Sequence, residues 1–453
     1  MMLRLSFRQT GGLSMRRAAF TAILLAITCF VVTAITTRAQ ETPRNFDESK
    51  VGSYTLPDPL LSTTGEKVLT TAQWIDERRP EILRLFESRV YGKVPKPASP
   101  IEPKFELRSE DKQALSGIAI RREVSILFSE KPDGPRMDLL LYLPKRADNA
   151  TRVPVFLGLN FGGNHTIHSD PGITLSRQWM RDRVKGVVNH RATESSRGSD
   201  SSSWPVERIL ARGYALATAY YGDIDPDYDD GFKNGIHPLF YRPGQTQPAA
   251  DEWGSIGAWA WGLSRALDYL ETAPEVDPRK VVLMGHSRLG KTALWAGAQD
   301  ARFAIVISVQ SGCGGAALSR RIFGETVQHI NTSFPHWFCA NFRQYNGHED
   351  ALPIDQHELI ALIAPRPVLV CSAQEDLWAD PKGEFLGALA ADHVYRLLGT
   401  DGLAVTEMPV PARDQPVKST IGYRIRPGKH EVTTDDWDAF IDFADLHLKR
   451  SGR

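Results

Sequence analysis

Lys280-Val281-Val282-Leu283-Met284-Gly285-His286-Ser287-Arg288-Leu289-Gly290-Lys291 decides the fold. The first five residues are apolar apart from Lys280, as expected for a strand buried on both faces. A helix-forming stretch, Arg288 to Ala298, follows at once. A serine on so tight a strand-to-helix turn is a nucleophile elbow, where small neighbours let the backbone strain and lift the hydroxyl above the sheet edge. The usual spacing is G-x-S-x-G; here Leu289 takes the second glycine position and Gly290 comes one later. The competing reading of Ser287 is a structural helix cap.

Working outward, strand-like and helix-like segments alternate from Asp111 onwards, the signature of an α/β fold around a largely parallel sheet. The expected strands are Ile118 to Phe128, Arg136 to Leu143, Val153 to Leu159, Tyr214 to Tyr220, Lys280 to Met284, Phe303 to Val309 and Pro367 to Cys371, with a late one around Leu403 to Val410. Helices are expected over Gly254 to Glu271, Arg288 to Ala298 and Phe385 to Leu398. A closing helix carries Trp437, Phe440, Ile441, Ala444 and Leu448 on one face, capped by Thr433 or Thr434. The fold class is therefore α/β: an α/β-hydrolase with a mainly parallel central sheet sandwiched by helices.

Two stretches break this rhythm: residues 165–205, rich in Ser, Arg and His, and residues 222–252, rich in Asp, Gly and Pro. Both read as long excursions over the strand ends, and loops of that length are usually functional or mobile. Residues 40–110, with one helix from Ala72 to Tyr91, read as an N-terminal extension packed on a catalytic domain spanning 111–453.

A serine nucleophile needs a histidine base and an acid to orient it, and in this fold the chain order is Ser, acid, His. Three histidines follow the last central strand. His393 sits inside an amphipathic helix and His447 in the last helical turn, whereas His430 lies in the loop Arg426-Pro427-Gly428-Lys429-His430 and can reach over the sheet. The loop Ser372-Ala373-Gln374-Glu375-Asp376-Leu377-Trp378-Ala379-Asp380 offers the acid; Asp376 is the first choice, with Glu375 and Asp380 as competitors.

Other chemistries find little support. HExxH and a GxGxxG after a strand are both missing, and neither a metal nor an organic cofactor is expected. His348-Glu349-Asp350 and Asp355-Gln356-His357 read as loop hydrogen bonding. Lys+Arg and Asp+Glu both count 54 over 453 residues, but residues 1–39 hold five Arg and no acid, leaving 49 against 54. The remainder is mildly acidic, which argues against a nucleic-acid surface. In that segment Ala18 to Ile35 is an apolar run after Arg16-Arg17 and before Thr37-Arg38-Ala39, the layout of an export signal cleaved near Gln40, with Met15 an alternative start. The expected location is periplasmic or extracellular, without stable membrane association after cleavage; an uncleaved anchor is the alternative. Cys313, Cys339 and Cys371 make an odd set after cleavage and read as small buried thiols.

The elbow, with Gln310-Ser311-Gly312-Cys313-Gly314-Gly315, Phe334-Pro335-His336-Trp337-Phe338-Cys339, Leu359 to Pro367, Asp376 to Pro381 and Gly428-Lys429-His430, resembles the glucuronoyl esterases of carbohydrate esterase family 15. The likeness runs from about Trp74 to the C-terminus. It implies cleavage of the ester between 4-O-methyl-glucuronic acid on glucuronoxylan and lignin-type alcohols, with Ser287 as nucleophile, His430 as base and Arg288 as oxyanion donor. It also implies that Lys291, Glu325 and Trp378 hold the glucuronoyl ring. Two rival readings stay open: a carbohydrate acetyl or hydroxycinnamoyl esterase, and a catalytically silent polysaccharide-binding protein.

The chain departs from the fungal pattern at two positions. Gln310 stands where many members have the triad Glu, which puts the burden on Asp376, a placement the bacterial branch also shows. A carboxylate restored at 310 is then expected to recover part of the rate lost in Asp376→Asn. His286 stands where fungal members commonly have Cys, so the bridge they form there is absent.

Overall fold

The computed structural model describes residues 44–97, 100–145 and 151–450, so the expected export segment, residues 1–39, lies outside the described residues. Nine strands build the main sheet: β1 (Lys104–Gln113), β2 (Ala119–Leu127), β3 (Arg136–Pro144), β4 (Val153–Asn160), β5 (Ala215–Tyr220), β6 (Val276–His286), β7 (Ile305–Val309), β8 (Val368–Ala373) and β9 (Ile421–Arg426). Their spatial order is β1-β2-β3-β5-β4-β6-β7-β8-β9. Pairing is antiparallel from β1 to β5 and parallel from β5 through β9.

Parallel neighbours require crossovers, and helices supply most of them. Helix α1 (Arg79–Arg89) precedes the sheet; α2 (Ser255–Thr272), α3 (Arg288–Gln299) and α4 (Pro381–Leu397) cross one face, and α5 (Thr434–Arg450) covers the other. This is the α/β-hydrolase arrangement. On the first face Tyr91 stacks on Trp295 of α3, ring centroids 4.5 Å apart, and Phe86 of α1 lies 6.3 Å from Trp295. These rings are fully buried. At about 1.5–3 kcal/mol for a fully buried large apolar side chain, they fasten the N-terminal segment beneath the elbow helix. On the other face Trp437, Phe440, Ile441 and Ala444 of α5 are buried, as their spacing predicts.

The structure differs from the sequence reading in four places. The boundary expected at 110 falls inside β1, which joins the sheet through β2, and residues 45 onwards cluster as one unit. The helix expected over Ala72 to Tyr91 begins at Thr71, widens into a π turn at Trp74–Arg78 and continues as α1. Pro80, which has no N–H to donate back along the helix, sits just past that turn. The helix expected from Phe385 starts at Pro381 because the Asp380 side chain accepts from the Gly383 N–H at 2.9 Å and caps it.

The late strand is the larger correction. Leu403 to Val410 forms no strand; the last one is β9, at Ile421–Arg426. Pro409 and Pro411 lack N–H groups, while the Leu403 and Ala404 amides donate to the side chains of Asp392 and Ser419 instead of to a ladder. Arg424 and Arg426 hid β9 from hydropathy, and both are ion-paired to Asp436 of α5.

The two excursions carry short helical turns and, within residues 165–205, a small hairpin of Val187–Val188 with Arg191–Ala192. Cys313, Cys339 and Cys371 are buried free thiols, and burial pushes Cys339 up to about 11 and Cys371 to about 12.

Candidate active site

Ser287 leaves β6 with φ 58° and ψ −128°, a left-handed conformation that a residue with a side chain adopts only under constraint. Its N–H donates to the Val309 carbonyl at 2.9 Å, pinning the turn to the end of β7. Gly285 has no alternative: a Cβ there would meet the Leu289 carbonyl oxygen at 1.9 Å. Gly290 is nearly as tight, 3.0 Å from the Ser311 Cβ, so the glycine one position late serves the close packing of α3 on β7.

The ends of β8 and β9 bring the other two groups together. His430 Nδ1 lies 2.6 Å from Asp376 Oδ2, with the carboxylate buried and the ring about 39% exposed. With Nδ1–H donated to Asp376, the His430 Nε2 is left as the basic nitrogen. Ser287, Arg288 and His430 line one cavity of about 600 Å³, walled by Phe161, Val184, Trp204 and Val432. The competitors are committed elsewhere: Asp380 caps α4 and pairs with Arg321 Nε at 2.8 Å, and Glu375 is exposed.

His286 packs its ring 4.5 Å from that of His430, centroid to centroid. Burial, and then the His430 charge, push it well below the usual imidazole range, so it is neutral at working pH. Its Nε2–H donates to Gln310 Oε1 at 3.2 Å. Gln310 itself brackets the residue after His430: Oε1 accepts from the Glu431 N–H at 2.9 Å and Nε2–H donates to the Glu431 carbonyl at 3.0 Å.

Arg288 is buried against two aromatic rings, its guanidinium carbon 5.2 Å from the Phe161 ring centre and 4.9 Å from that of Trp337. One nitrogen, Nη1, lies 3.3 Å from Asp227 Oδ2. The buried Nε–H has no hydrogen-bond partner among the described residues. Asp227 was not legible as a site residue in the sequence, where it is one of five aspartates between 223 and 230. No local signal marks it; only the fold gathers its partners.

Lys291, Glu325 and Trp378 form a second cluster and do not line the main cavity. Buried Lys291 donates from Nζ to the Ser311 carbonyl at 2.5 Å and stands 3.5 Å from Glu325 Oε2. Burial pushes Glu325 up, and the Lys291 charge and hydrogen bond work against that shift. The Glu325 N–H donates to the Trp378 carbonyl at 3.0 Å, and the half-buried Trp378 ring faces His329 at 6.1 Å. Among the described residues no group of three His, Cys, Asp or Glu side chains is arranged to hold a metal ion. Asp355 caps a helix and His357 Nε2–H donates to the Pro57 carbonyl. No helix among the described residues is long and apolar enough to cross a membrane.

Residues 240–399 match the family model described as glucuronyl esterase, fungi. The chain is 55% identical over 435 residues to a carbohydrate esterase from an unknown prokaryotic organism, covering 93% of this chain and 98% of that one. It is 56% identical to a solved structure of a promiscuous CE15 esterase from a marine bacterial metagenome, TM-score 0.83, covering 89% of this chain and 100% of that one. It is 51% identical to the glucuronoyl esterase of Solibacter usitatus, TM-score 0.83, covering 88% and 99%.

Proposed function

Because the chain belongs to carbohydrate esterase family 15 and is a carboxylic ester hydrolase, we propose that it is an exported glucuronoyl esterase. Its substrate on this reading is the ester joining (4-O-methyl-)glucuronic acid of glucuronoxylan to a lignin-type alcohol. The observation that carries the mechanism is the 2.6 Å contact of His430 Nδ1 with buried Asp376, in the histidine that lines the same cavity as Ser287.

In this mechanism His430 Nε2 takes the Ser287 proton as Oγ attacks the ester carbonyl, and Asp376 stabilises the imidazolium that forms. Arg288, at the first position of α3, donates to the tetrahedral oxyanion, a contribution of about 3–4 kcal/mol per donor in well-studied cases. His430 returns the proton to the departing alcohol, and water then hydrolyses the glucuronoyl-enzyme by the same steps. On this reading the sugar ring extends beyond the cavity to the neighbouring cluster, one helical turn along α3 from Ser287, where Lys291 donates to sugar oxygens, Glu325 accepts from sugar hydroxyls and Trp378 offers its indole face to sugar C–H groups. The alternative of a silent binding protein rested on the missing carboxylate at 310, and Asp376 supplies one at hydrogen-bond distance from His430.

The test compares hydrolysis of benzyl glucuronate with release of acetate from acetylated xylan by the wild type and by Ser287→Ala. The expected result is turnover of the glucuronate ester alone, abolished by the substitution. Preference for acetylated xylan would replace the substrate assignment, and wild-type inactivity on every ester would leave a binding protein.

A further inference from the structure

The buried carboxylate of Asp227 collects more partners than any other acid near the cavity. Oδ1 accepts from His336 Nε2–H at 2.9 Å and from Trp337 Nε1–H at 2.8 Å. Oδ2 accepts from the Tyr221 hydroxyl at 2.8 Å and pairs with Arg181 Nη2 at 2.9 Å and Arg288 Nη1 at 3.3 Å. Tyr221 follows the end of β5, Arg181 comes from the first excursion, Asp227 from the second, and His336 and Trp337 from the Phe334–Cys339 loop. Three other segments thus converge on one carboxylate, whose fifth partner is the arginine directly after Ser287.

Burial alone would push Asp227 up. The His336 hydrogen bond, the Arg288 and Arg181 charges and the Trp337 hydrogen bond outweigh it and hold the carboxyl far below the usual range. It is therefore an anion at any working pH and the sole carboxylate paired with Arg288 in the described residues. Two aromatic rings against the Arg288 guanidinium add restraint: Phe161, and Trp337, itself tied to Asp227 and stacked at 3.8 Å on Phe334. An oxyanion donor is effective when it stands in place before charge develops, so that no reorganisation is needed during the reaction. A free arginine side chain has several rotatable bonds and does not meet that condition by itself.

The geometry points to Asp227 as a positioning residue that presets the Arg288 guanidinium: Nη1 is anchored on the carboxylate, and the guanidinium is held where Arg288 lines the cavity beside Ser287. This rests on the oxyanion reading of Arg288. It also gives both excursions a purpose, since they deliver Arg181 and Asp227 to the point where the guanidinium must be held. Arg181 shares the carboxylate and lies 5.9 Å over the Phe334 ring, a second cation holding the anion in place beside Arg288.

The experiment is a double-mutant cycle in kcat and KM on benzyl glucuronate with Asp227→Asn, Arg288→Ala and the pair. Asp227→Asn is expected to lower kcat by about ten- to a hundredfold with KM within about threefold. In the Arg288→Ala background the same substitution should change kcat by less than about twofold, because the group it positions is gone. Equal fold losses in both backgrounds would overturn the positioning role, as would wild-type kcat in Asp227→Asn. Wild-type kcat in Arg288→Ala would instead remove the oxyanion reading itself, and the proposal with it. Should Asp227→Asn not fold, Tyr221→Phe carries the cycle: it deletes one hydrogen bond to the carboxylate and should cost kcat a few-fold in the wild type and nothing beside Arg288→Ala. A loss that is the same in both backgrounds is again the overturning result.

Discussion

His430 Nδ1 and Asp376 Oδ2 lie 2.6 Å apart, the acid buried beneath a ring that is open to the cavity. A neutral amide at 376 keeps the shape but cannot stabilise the imidazolium, and its NH2 group favours the wrong tautomer of His430. Asp376→Asn should therefore lower kcat by up to about 10⁴, the loss seen when a triad aspartate is neutralised, with KM little changed. Steady-state kinetics on a glucuronate ester decides it, with His430→Ala as the inactive reference and His393→Ala as the active one. Wild-type rate in Asp376→Asn would move the acid role to another residue.

The competitor Asp380 should respond differently. Its carboxylate caps α4 and pairs with Arg321, both side chains being nearly inaccessible, and Arg321 also reaches Glu48 near the start of the described chain. Asp380→Asn keeps a cap but leaves a buried guanidinium with half its charge partners, a loss of about 3–5 kcal/mol where a buried pair is broken outright and less here because Glu48 remains. Thermal unfolding should show a lower Tm, with kcat per folded molecule close to wild type. A large fall in kcat at unchanged Tm would be the contrary result.

The residues proposed to carry out the reaction were legible because each sits at a place the topology defines: Ser287 after β6, Asp376 after β8 and His430 after β9. Chain order and loop position suffice for such groups. Asp227 was not legible, since what distinguishes it from Asp225, Asp229 or Asp230 is a convergence of Tyr221, Arg181, His336, Trp337 and Arg288 that only tertiary structure produces. The same limit explains the misplaced last strand. Apolar Leu403, Val405 and Met408 do pack on the core, so their hydropathy was read correctly, but their backbone groups find side-chain partners rather than a neighbouring strand. In β9 the error runs the other way, because Arg424 and Arg426 look solvent-facing until Asp436 is placed beside them.

Gln310 gives a prediction that the sequence and the structure answer differently. Sequence reading expects Gln310→Glu to restore part of the rate in Asp376→Asn, as though position 310 faced the imidazole. In the structure the Gln310 amide uses both ends on the Glu431 backbone and its oxygen also meets His286. A glutamate there keeps the acceptor but sets a second oxygen against the Glu431 carbonyl, a buried mismatch costing about 1–3 kcal/mol. The double variant should thus show no rescue in kcat and a lower Tm than Asp376→Asn alone. Recovery of rate at unchanged Tm would mean that the side chain at 310 can swing to His430.

A buried carboxyl next to this site should make stability depend on pH. Glu384 of α4 is fully buried; its Oε1 accepts from the Ser311 and Gly312 amides at 2.7 and 3.0 Å, and its Oε2 meets the Ser372 hydroxyl at 2.6 Å. Burial pushes its pKa up to about 8, opposed by the hydrogen bonds from Ser372 and Gly312 and reinforced by the nearby Asp376 charge. The unfolded chain releases this proton near the ordinary value of 4.5. Between those two values the folded state holds more protons than the unfolded one, so stability is fully present below about pH 4.5 and declines as pH rises toward 8. Glu384→Gln mimics the protonated form and cannot ionise. Its Tm should match the wild type at pH 5 and exceed it increasingly up to pH 8, by an amount on the order of a few kcal/mol in stability. Glu358, also pushed up to about 8, is present in both proteins and cancels in the difference. A Tm difference that stays flat over this range would show that Glu384 is ionised in the folded protein throughout, held by its hydrogen bonds against the cost of burial.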